Sequence, residues 1–402
     1  MMLSRRNFLT LSKRADKNLN KSNDQAPDLL IYIFQRGAAD GLNLVVPYAD
    51  SNYYANRPNL AIPAPGSASD AAIDLDGFFG LNPDLSALLP MYEKGDLAMI
   101  HACGSLDSTH SHFQTQAFVD RGTVDVGFST GWLARYVNAS STEQSSAFQS
   151  IAMSTAIPAS LAGADQVVAL SSIDGFNILA PESEIDLISE QLSDLFSGEQ
   201  SLDNAAQATF AAVNIIADLN TDDFPVENDA QYPDSGFGNR LRDLAILIKS
   251  GIGVETASVD IGGWDTHDSQ ASALSLLAQD YANSLAAFYI DMGEHMSNIS
   301  IITITEFGRR VTENGSAGTD HGTGNVAFVM GGGVNGGQVY SDWPGLNNSD
   351  LVGPGDLKVT TDYRTVVAEL LDKRMFFTDH ASLFPGFEVP EYVGLFTEKS
   401  SS

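Results

Sequence analysis

The sequence predicts a single α/β domain with a mostly parallel central sheet flanked by helices. Short apolar runs rich in β-branched residues, such as 299–305, have the composition of strands that are buried on both faces. Stretches with helical spacing of apolar residues separate these runs. Polar and glycine-rich segments begin abruptly where the runs stop, as they do at the carboxyl ends of strands in open α/β sheets.

The predicted elements follow one another along most of the chain. The predicted strands are 28–35, 97–102, 254–259, 299–305 and 326–330. The predicted helices are 85–92, 113–120, 237–249, 270–295 and 365–373, the last with Asp362 as its N-cap. The segment 140–235 is rich in Ser, Ala, Asp and Glu with apolar positions at helical spacing, so we expect a helical insertion outside the site. Residues 27–402 are thus expected to form one domain, after a flexible tail over 1–26.

The charge of the chain makes two classes of molecule poor partners. The chain has 21 Lys and Arg residues against 51 Asp and Glu residues, a net charge of −30. This excess repels nucleic acid and anionic membranes, but it does not repel divalent cations.

The single cysteine, Cys103, excludes an intrachain disulfide. No run is long and apolar enough to span a membrane.

The N-terminus carries part of an export signal. Arg5 and Arg6 match the twin-arginine motif, but the apolar part that follows stops at Leu11, before Lys13 and Arg14. A working signal needs an apolar region of roughly 7–15 residues. We therefore expect either a decayed signal and a cytoplasmic chain, or export that depends on another factor.

The stretch 306–321 is the first candidate site. Glu306 ends a predicted strand, Arg309 and Arg310 follow it, and Asp320 and His321 lie in a glycine-rich loop. A carboxylate, two arginines and an Asp-His pair at a strand end indicate a metal or anion site. The alternative is a solvated loop between two strands.

A second candidate site follows the strand at 254–259. Asp260, Asp265 and His267 lie on one loop. Gly262 and Gly263 make the backbone of this loop flexible. Two carboxylates and an imidazole suit Zn²⁺ or a similar ion with nitrogen and oxygen ligands. The alternative is an Asp–His hydrogen bond within a structural turn.

Two further loops carry reactive side chains. Asp40 follows the first strand, where a metal ligand or a simple turn residue is expected. The loop 104–112 places hydroxyls and two histidines before a helix. A hydroxyl there could attack phosphorus or sulfur if a metal lowers its pKa. The alternative is N-capping by Ser108 or Ser111, with His110 and His112 solvated.

The order of these motifs resembles that of a known bacterial family. The motifs are Arg36–Gly41, Ser108–Phe113, Gly262–His267, Thr305–Arg310, Thr319–Gly322 and Thr361–Arg364. From about residue 28 to its end, the chain resembles the family called domain of unknown function 1501, whose members usually carry a twin-arginine leader. The resemblance implies a periplasmic or other extracytoplasmic location. It also implies an alkaline phosphatase-like fold, which sulfatases share.

The resemblance also assigns roles, position by position. Asp40 resembles the first metal aspartate of the superfamily, and Ser111, Thr109 or Ser108 lies where the nucleophile would be. The remaining metal positions fall on Asp260 or Asp265 with His267, on Glu306, and on His321. Phe307 departs from the pattern, because the superfamily has an Asp-His-Gly sequence here and a phenyl ring cannot bind a metal.

We therefore expect a metal-dependent hydrolase of small, anionic phosphate or sulfate esters. The expected divalent ion is zinc, with Mn, Ca or Mg as alternatives. Its expected ligands are Asp40, Asp260 or Asp265, His267, Glu306 and His321. Ser111 or Thr109 would attack, and Arg309 or Arg36 would neutralise the developing charge. The alternative is a non-catalytic binding or assembly protein with a protein partner, which scattered ligand side chains would favour.

Overall fold

The structure is a computed structural model that describes residues 28–106, 109–142, 145–178, 181, 184–198 and 201–399. The predicted tail over 1–26, with Arg5 and Arg6, lies outside these residues, as does the candidate nucleophile Ser108. Within the described ranges, no helix is long and apolar enough to cross a membrane.

Strands and helices alternate along the described chain. The strands are β1 (Leu29–Gln35), β2 (Val45–Val46), β3 (Ile73–Asp74), β4 (Gly80–Leu81), β5 (Leu97–Gly104), β6 (Ser150–Ala152), β7 (Val168–Ala169), β8 (Thr256–Ile261), β9 (Ile299–Thr305), β10 (Arg309–Glu313), β11 (Thr319–His321), β12 (Asn325–Gly331), β13 (Val339–Tyr340) and β14 (Thr361–Asp362). The α-helices are α1 (Gly41–Leu44), α2 (Ser51–Asn56), α3 (Leu89–Lys94), α4 (His112–Arg121), α5 (Trp132–Ser140), α6 (Ile185–Leu195), α7 (Ser201–Ala217), α8 (Gly236–Lys249), α9 (Gln270–Met292), α10 (Tyr363–Met375) and α11 (His380–Leu383). Short 3-10 helices include Pro83–Leu88, Ala159–Leu161, Thr221–Asp223 and Gly293–Asn298.

Nine of the described strands form the central sheet. Their spatial order is β13-β5-β12-β9-β1-β8-β6-β7, and β14 also pairs with β5. β1 is parallel to both of its neighbours, β8 and β9. Among the described pairings in this sheet, β12 alone is antiparallel to its neighbours, β5 and β9. The predicted mostly parallel sheet flanked by helices is confirmed.

The central strand β1 packs into both layers of the core, which explains its continuous apolar sequence. Ile31 and Ile33 pack into the core on one face, whereas Leu30, Tyr32 and Phe34 pack into the core on the other. All five side chains are at most 1% exposed. Burial of a side chain of this kind stabilises the fold by roughly 1.5–3 kcal/mol.

The predicted strand boundaries agree with the structure within two residues, and 299–305 coincides with β9. The helix predicted over 270–295 ends earlier. Its α-helical part, α9, stops at Met292, and a 3-10 helix follows from Gly293, whose φ is 48°. That left-handed conformation favours glycine and ends the helix. Asp362 caps α10 as predicted, since its side chain accepts the backbone N–H of Arg364 at 2.9 Å.

The segment predicted as a helical insertion, 140–235, has two different parts. Its later part contains α6 and α7, and Phe196, directly after α6, packs against Phe210 of α7 with ring centroids 6.3 Å apart. Its earlier part adds β6 and β7 to the central sheet, where buried Ile151 pairs with Ala257 of β8. Residues 150–169 therefore contribute to the sheet, and the boundaries of the insertion stay a prediction.

Candidate metal centre

Strand direction brings the candidate residues to one edge of the central sheet. β1, β5, β8 and β9 all end at this edge, and the antiparallel β12 begins there. The segments after the four strands carry Asp40, His112, Asp265 and Glu306, and His321 precedes β12. Loops at this edge can present polar groups to a ligand without burying them unpaired.

Three imidazoles and one carboxylate meet at this edge and form what we call the His–Asp cluster. The Nε2 atom of His321 lies 3.0 Å from Nε2 of His112 and 2.9 Å from Nε2 of His267. Asp265 completes the cluster. Its Oδ1 atom lies 3.1 Å from Nε2 of His267 and 3.2 Å from Nε2 of His321, and its Oδ2 atom lies 3.4 Å from Nε2 of His112.

Two of the imidazoles are held from behind by carboxylates. Nδ1 of His112 lies 2.8 Å from Oε1 of Glu306, and Nδ1 of His267 lies 3.3 Å from Oδ1 of Asp320. An ionised carboxylate can only accept a hydrogen bond, so each Nδ1 atom is the donor. In the neutral ring, Nε2 then carries a lone pair directed at the cluster.

The main chain fixes the tautomer of the third imidazole. Nδ1 of His321 lies 2.8 Å from the carbonyl oxygen of His110, which can only accept, so Nε2 of His321 also carries a lone pair. Lone pairs from His112 and His267 face it at distances of at most 3.0 Å. Nitrogen lone pairs this close repel one another unless a positive charge, from a proton or a metal ion, lies between them.

The cluster fits a divalent metal ion. A tetrahedral zinc ion bound at 2.0–2.1 Å by imidazoles separates its ligand atoms by about 3.3 Å. The five contacts given above are 2.9–3.4 Å long, and ligand atoms of His112, Asp265 and His321 all lie within 4.8 Å of one another. His267 contacts His321 and Asp265 but lies outside this mutually close group of three. Metal-binding histidines also donate their other N–H group to a carboxylate or carbonyl, as all three do here.

The charge states at neutral pH favour a cation. Burial acts to raise the pKa of Asp265, but hydrogen bonds, the largest from Arg309, outweigh it and lower the pKa to about 2. Burial also acts against ionisation of Glu306, yet its bonds to His112 and Gln116 lower its pKa overall. The bond to Glu306 raises the pKa of His112. Both carboxylates are thus ionised, and a metal ion competes with a proton on His112.

Arg309 holds the loops of the cluster together. Its side chain is buried and donates to main-chain oxygens in the loops after β1 and β8 and in β11. It also donates to Oδ1 of Asp265 at 2.7 Å. The guanidinium that we expected to face a substrate therefore orients a cluster carboxylate.

Two glycines allow the loops to approach this closely. Gly37 has a φ of 119°, and a Cβ atom on it would lie 2.6 Å from the backbone nitrogen of Asp265. A Cβ atom on Gly308 would lie 1.9 Å from the carbonyl oxygen of Gly324. The N–H group of Gly37 also donates to Oε1 of Glu306 at 2.9 Å, which ties the loop after β1 to the carboxylate behind His112.

Asp40, predicted as a metal ligand, lies outside the His–Asp cluster in a buried ion pair. Arg57 binds both of its oxygens, with Nη1–Oδ2 and Nη2–Oδ1 distances of 2.6 and 3.0 Å. Both side chains are at most 1% exposed. Gln270 donates a further hydrogen bond to Oδ2. A guanidinium thus supplies the positive charge that we expected from a metal ion.

Asp260 and Arg36, predicted as a metal ligand and a charge-neutralising residue, bind each other. Nε of Arg36 donates to Oδ2 of Asp260 at 3.0 Å, and Nη1 donates to Oδ2 of Asp120 at 2.9 Å. The guanidinium carbon also lies 3.7 Å from the ring centre of Phe34. The described contacts join neither Asp260 nor Arg36 to the His–Asp cluster.

The carboxyl group of Asp120 gives this ion network a pH dependence. Burial raises its pKa from 3.8 to about 6. The folded state therefore binds the proton more tightly, and this contribution to stability is present below about pH 4 and lost as the pH rises through 6. We expect the unfolding free energy of the native chain, relative to that of Asp120→Asn, to fall by about 3 kcal/mol between pH 4 and pH 7. Urea unfolding of both chains measures this difference, and a difference independent of pH would contradict it.

Glu306 and Phe307 occupy the positions where the family resemblance implies an Asp-His sequence. Glu306 is fully buried and lies behind His112 rather than among the Nε2 atoms. The ring centroid of buried Phe307 lies 4.9 Å from the rings of both His112 and His321. Phe307 therefore forms an apolar wall against the cluster. Among the described residues, metal-ligating side chains converge in one group.

Comparison with known proteins shows the family. The family model described as "Protein of unknown function (DUF1501)" matches residues 28–385. The chain belongs to this family. The resemblance read from the motifs is thereby confirmed, and no curated protein matches the chain.

Solved structures with similarity to this DUF1501 protein have low sequence identity. An alkaline phosphatase from the Antarctic bacterium TAB5 is 11% identical, with a TM-score of 0.32 over 79% of this chain and 95% of that one. A sulfatase, PsFucS1, from Pseudoalteromonas sp. is 11% identical, with a TM-score of 0.34 over 84% and 68%. The C-terminal periplasmic domain of EcEptC from Escherichia coli, in complex with Zn, is 8% identical, with a TM-score of 0.34 over 78% and 75%.

The candidate nucleophiles of the DUF1501 protein lie just before α4. Ser111 is the N-cap residue of this helix, but its side chain makes no capping bond. The Oγ1 atom of Thr109 accepts from the backbone N–H of Ser111 at 3.2 Å and donates to Gln114 at 3.1 Å. Both hydroxyls lie within three residues of His112 in the chain.

His112 is the cluster residue that the sequence did not assign to the metal. Its loop suggested a nucleophile or a helix cap, and both interpretations left the imidazole without a role. The available signal was positional, because His112 follows a buried strand, β5, just as Asp265 follows β8. Parallel strands bring such loops to the same edge of the sheet.

Proposed function

We propose that this DUF1501 protein is a metal-dependent hydrolase of phosphate or sulfate esters. The observation that carries the proposal is the convergence of three Nε2 atoms and the carboxylate of Asp265, with every Nδ1 atom engaged from behind. The proposed ligands are His112, His321 and Asp265, whose ligand atoms are mutually close, and His267, which contacts His321 and Asp265, is the proposed fourth ligand. Three imidazoles and one carboxylate favour zinc over Ca²⁺ and Mg²⁺, which prefer oxygen ligands.

When bound, a divalent ion would polarise the ester and lower the pKa of a hydroxyl or water near it. Ser111 is the proposed nucleophile, because it directly precedes His112 and its side chain makes no capping bond. Its oxygen forms the new bond to phosphorus or sulfur, its proton passes to solvent water, and the bond to the departing alcohol breaks with its electron pair. Water then hydrolyses the serine ester and restores the hydroxyl.

The remaining residues position these groups. Glu306 fixes the tautomer of His112, and Arg309 fixes the orientation of Asp265. Neither Arg309 nor Arg36 is proposed to bind the substrate, because each already binds a carboxylate. Phe307 excludes water from one side of the imidazoles, which strengthens electrostatic interactions there.

Ser111→Ala tests this proposal. In the zinc-loaded full chain we expect kcat/KM for 4-nitrophenyl esters to fall on the order of a thousandfold or more, as expected for loss of a covalent nucleophile. Thr109→Ala tests the other candidate hydroxyl of the same loop and should lose far less activity than Ser111→Ala does. Unchanged activity in Ser111→Ala would remove the serine from the mechanism. Absence of turnover in the zinc-loaded native chain, across phosphate monoesters, phosphodiesters and sulfates, would overturn the hydrolase itself.

A non-catalytic binding or assembly protein is the second candidate. Two observations favour it. Arg57 forms an ion pair with Asp40, and the ring of Phe307 stands where the family resemblance implies a metal-binding histidine. Of the ligands expected from sequence, however, Asp265, His267 and His321 do meet in the cluster. A chain that binds zinc stoichiometrically, turns over no ester and retains a protein partner would favour this candidate.

We also propose an extracytoplasmic location, on the basis of Arg5 and Arg6 and the family resemblance. The basic and polar residues after Leu11 favour the cytoplasmic alternative, since a signal needs an apolar segment there. Fractionation of cells that express the native chain separates the two. A processed chain outside the cytoplasm supports export, and an unprocessed cytosolic chain contradicts it.

A further inference from the structure

The charge around the His–Asp cluster indicates which esters the site accepts. We infer that the site selects esters with a single negative charge, a phosphodiester or a sulfate monoester, over dianionic phosphate monoesters. This inference rests on the hydrolase function proposed above. The shared feature of the preferred substrates is their charge, so the two types are separate arms of the test.

The carboxylates at the cluster outnumber the permanent cations. Asp265 lies among the imidazoles, Glu306 and Asp320 lie behind two of them, and Asp356 lies 2.9 Å from Nε2 of His110. These are four negative charges. Two guanidiniums accompany them, from Arg309 and Arg310. Four carboxylates against two guanidiniums leave an excess of two negative charges, which one divalent ion cancels.

The neighbouring cations are already engaged. Arg57 binds Asp40, and Arg36 binds Asp120 and Asp260. Lys358, two residues after Asp356 in the same segment, is exposed, so solvent and salt screen its charge. Among the described residues, no buried guanidinium of these loops is left without a carboxylate to meet a second negative charge on the substrate.

The apolar wall of Phe307 removes another source of positive charge. Its ring packs against His112 and His321 at the position where a ligand to a second ion is expected. A pair of metal ions clamps the oxygens of a transferring phosphoryl group, and their combined charge offsets a dianion. Because the excess carboxylates already offset the charge of one ion, a dianionic substrate meets more uncompensated negative charge than a singly charged one does.

Three esters with the same leaving group test the inference. They are methyl 4-nitrophenyl phosphate and 4-nitrophenyl sulfate, each with one negative charge, and 4-nitrophenyl phosphate, which is a dianion at pH 8 because its second pKa is about 6. We expect kcat/KM of the zinc-loaded full chain to be at least about tenfold higher for one of the singly charged esters. Competitive inhibition should follow the same order, with dimethyl phosphate binding more tightly than methyl phosphate.

A matched variant keeps the test independent of the intrinsic reactivity of the esters. Asp356→Asn removes the carboxylate beside the ring of His110, whose carbonyl oxygen contacts His321, and releases Arg310. We expect this variant to lower several-fold the ratio of kcat/KM for the singly charged esters to kcat/KM for the dianion. Asp96→Asn, before β5 at the opposite edge of the sheet, should leave the preference unchanged.

Tighter binding of methyl phosphate than of dimethyl phosphate, or faster turnover of the monoester than of both others, would overturn the inference and leave the hydrolase intact. Hydrolysis of none of the three would overturn both.

Discussion

Replacement of His321 by alanine is expected to abolish stoichiometric zinc binding and to lower the rate of ester hydrolysis on the order of a thousandfold. A metal ion contributes several kcal/mol of transition-state stabilisation, and each 1.36 kcal/mol changes the rate tenfold. Nε2 of His321 lies within 3.2 Å of the ligand atoms of His112, His267 and Asp265, so it is the most central atom of the cluster. Zinc content after dialysis and kcat/KM on 4-nitrophenyl esters measure the two effects.

His295→Ala is the matched control for this prediction. His295 lies in the 3-10 helix Gly293–Asn298, away from the His–Asp cluster, so its loss removes an imidazole without touching the proposed ligands. It should leave zinc content and activity unchanged. A folded His321→Ala chain that retains one equivalent of zinc would place the metal elsewhere and contradict the proposed ligand set.

Asp40→Asn is expected to destabilise the fold while leaving the zinc content intact. The substitution leaves the guanidinium of Arg57 buried without a charged partner. Breaking a buried ion pair on one side costs about 3–5 kcal/mol, which is a large part of the stability of a typical domain. Urea unfolding measures the loss, and metal analysis of the folded chain measures zinc.

Asp50→Asn serves as the control for Asp40→Asn. Asp50 caps α2 by accepting the backbone N–H of Asn52 at 3.0 Å, and asparagine caps a helix as well as aspartate does. The control should therefore unfold at nearly the native urea concentration. Loss of zinc from a folded Asp40→Asn chain would restore Asp40 as a ligand and count against the structural role assigned to it.

The fold could be predicted from sequence because its strongest signals are local. The run 299–305 is apolar at every position except its serine and threonines, and it ends at Glu306, so strand and strand end are both visible in a few consecutive residues. β6 and β7 were missed for the opposite reason. They are two or three residues long, and their strand character comes from pairing, of β6 with β8 and of β7 with β6, rather than from their own sequence.

The candidate site was only partly predictable, because its decisive contacts are long-range. Asp265, His267 and His321 stood out as ligand types at strand ends. The role of Asp40 depends on Arg57, which is 17 residues away, and no local pattern predicts that these two side chains meet. Glu306 and His112 are 194 residues apart. Only their contact shows that His112 is the ligand candidate and that Glu306 positions it.

The most direct test of the account is to locate the metal. Crystals of the zinc-loaded chain, measured on both sides of the zinc absorption edge, should show one anomalous peak within about 2.0–2.2 Å of Nε2 of His321 and His112 and of a carboxylate oxygen of Asp265. Partial occupancy at that position would still support the account. A peak at Asp40, or no peak at the His–Asp cluster in a chain that contains zinc, would contradict it.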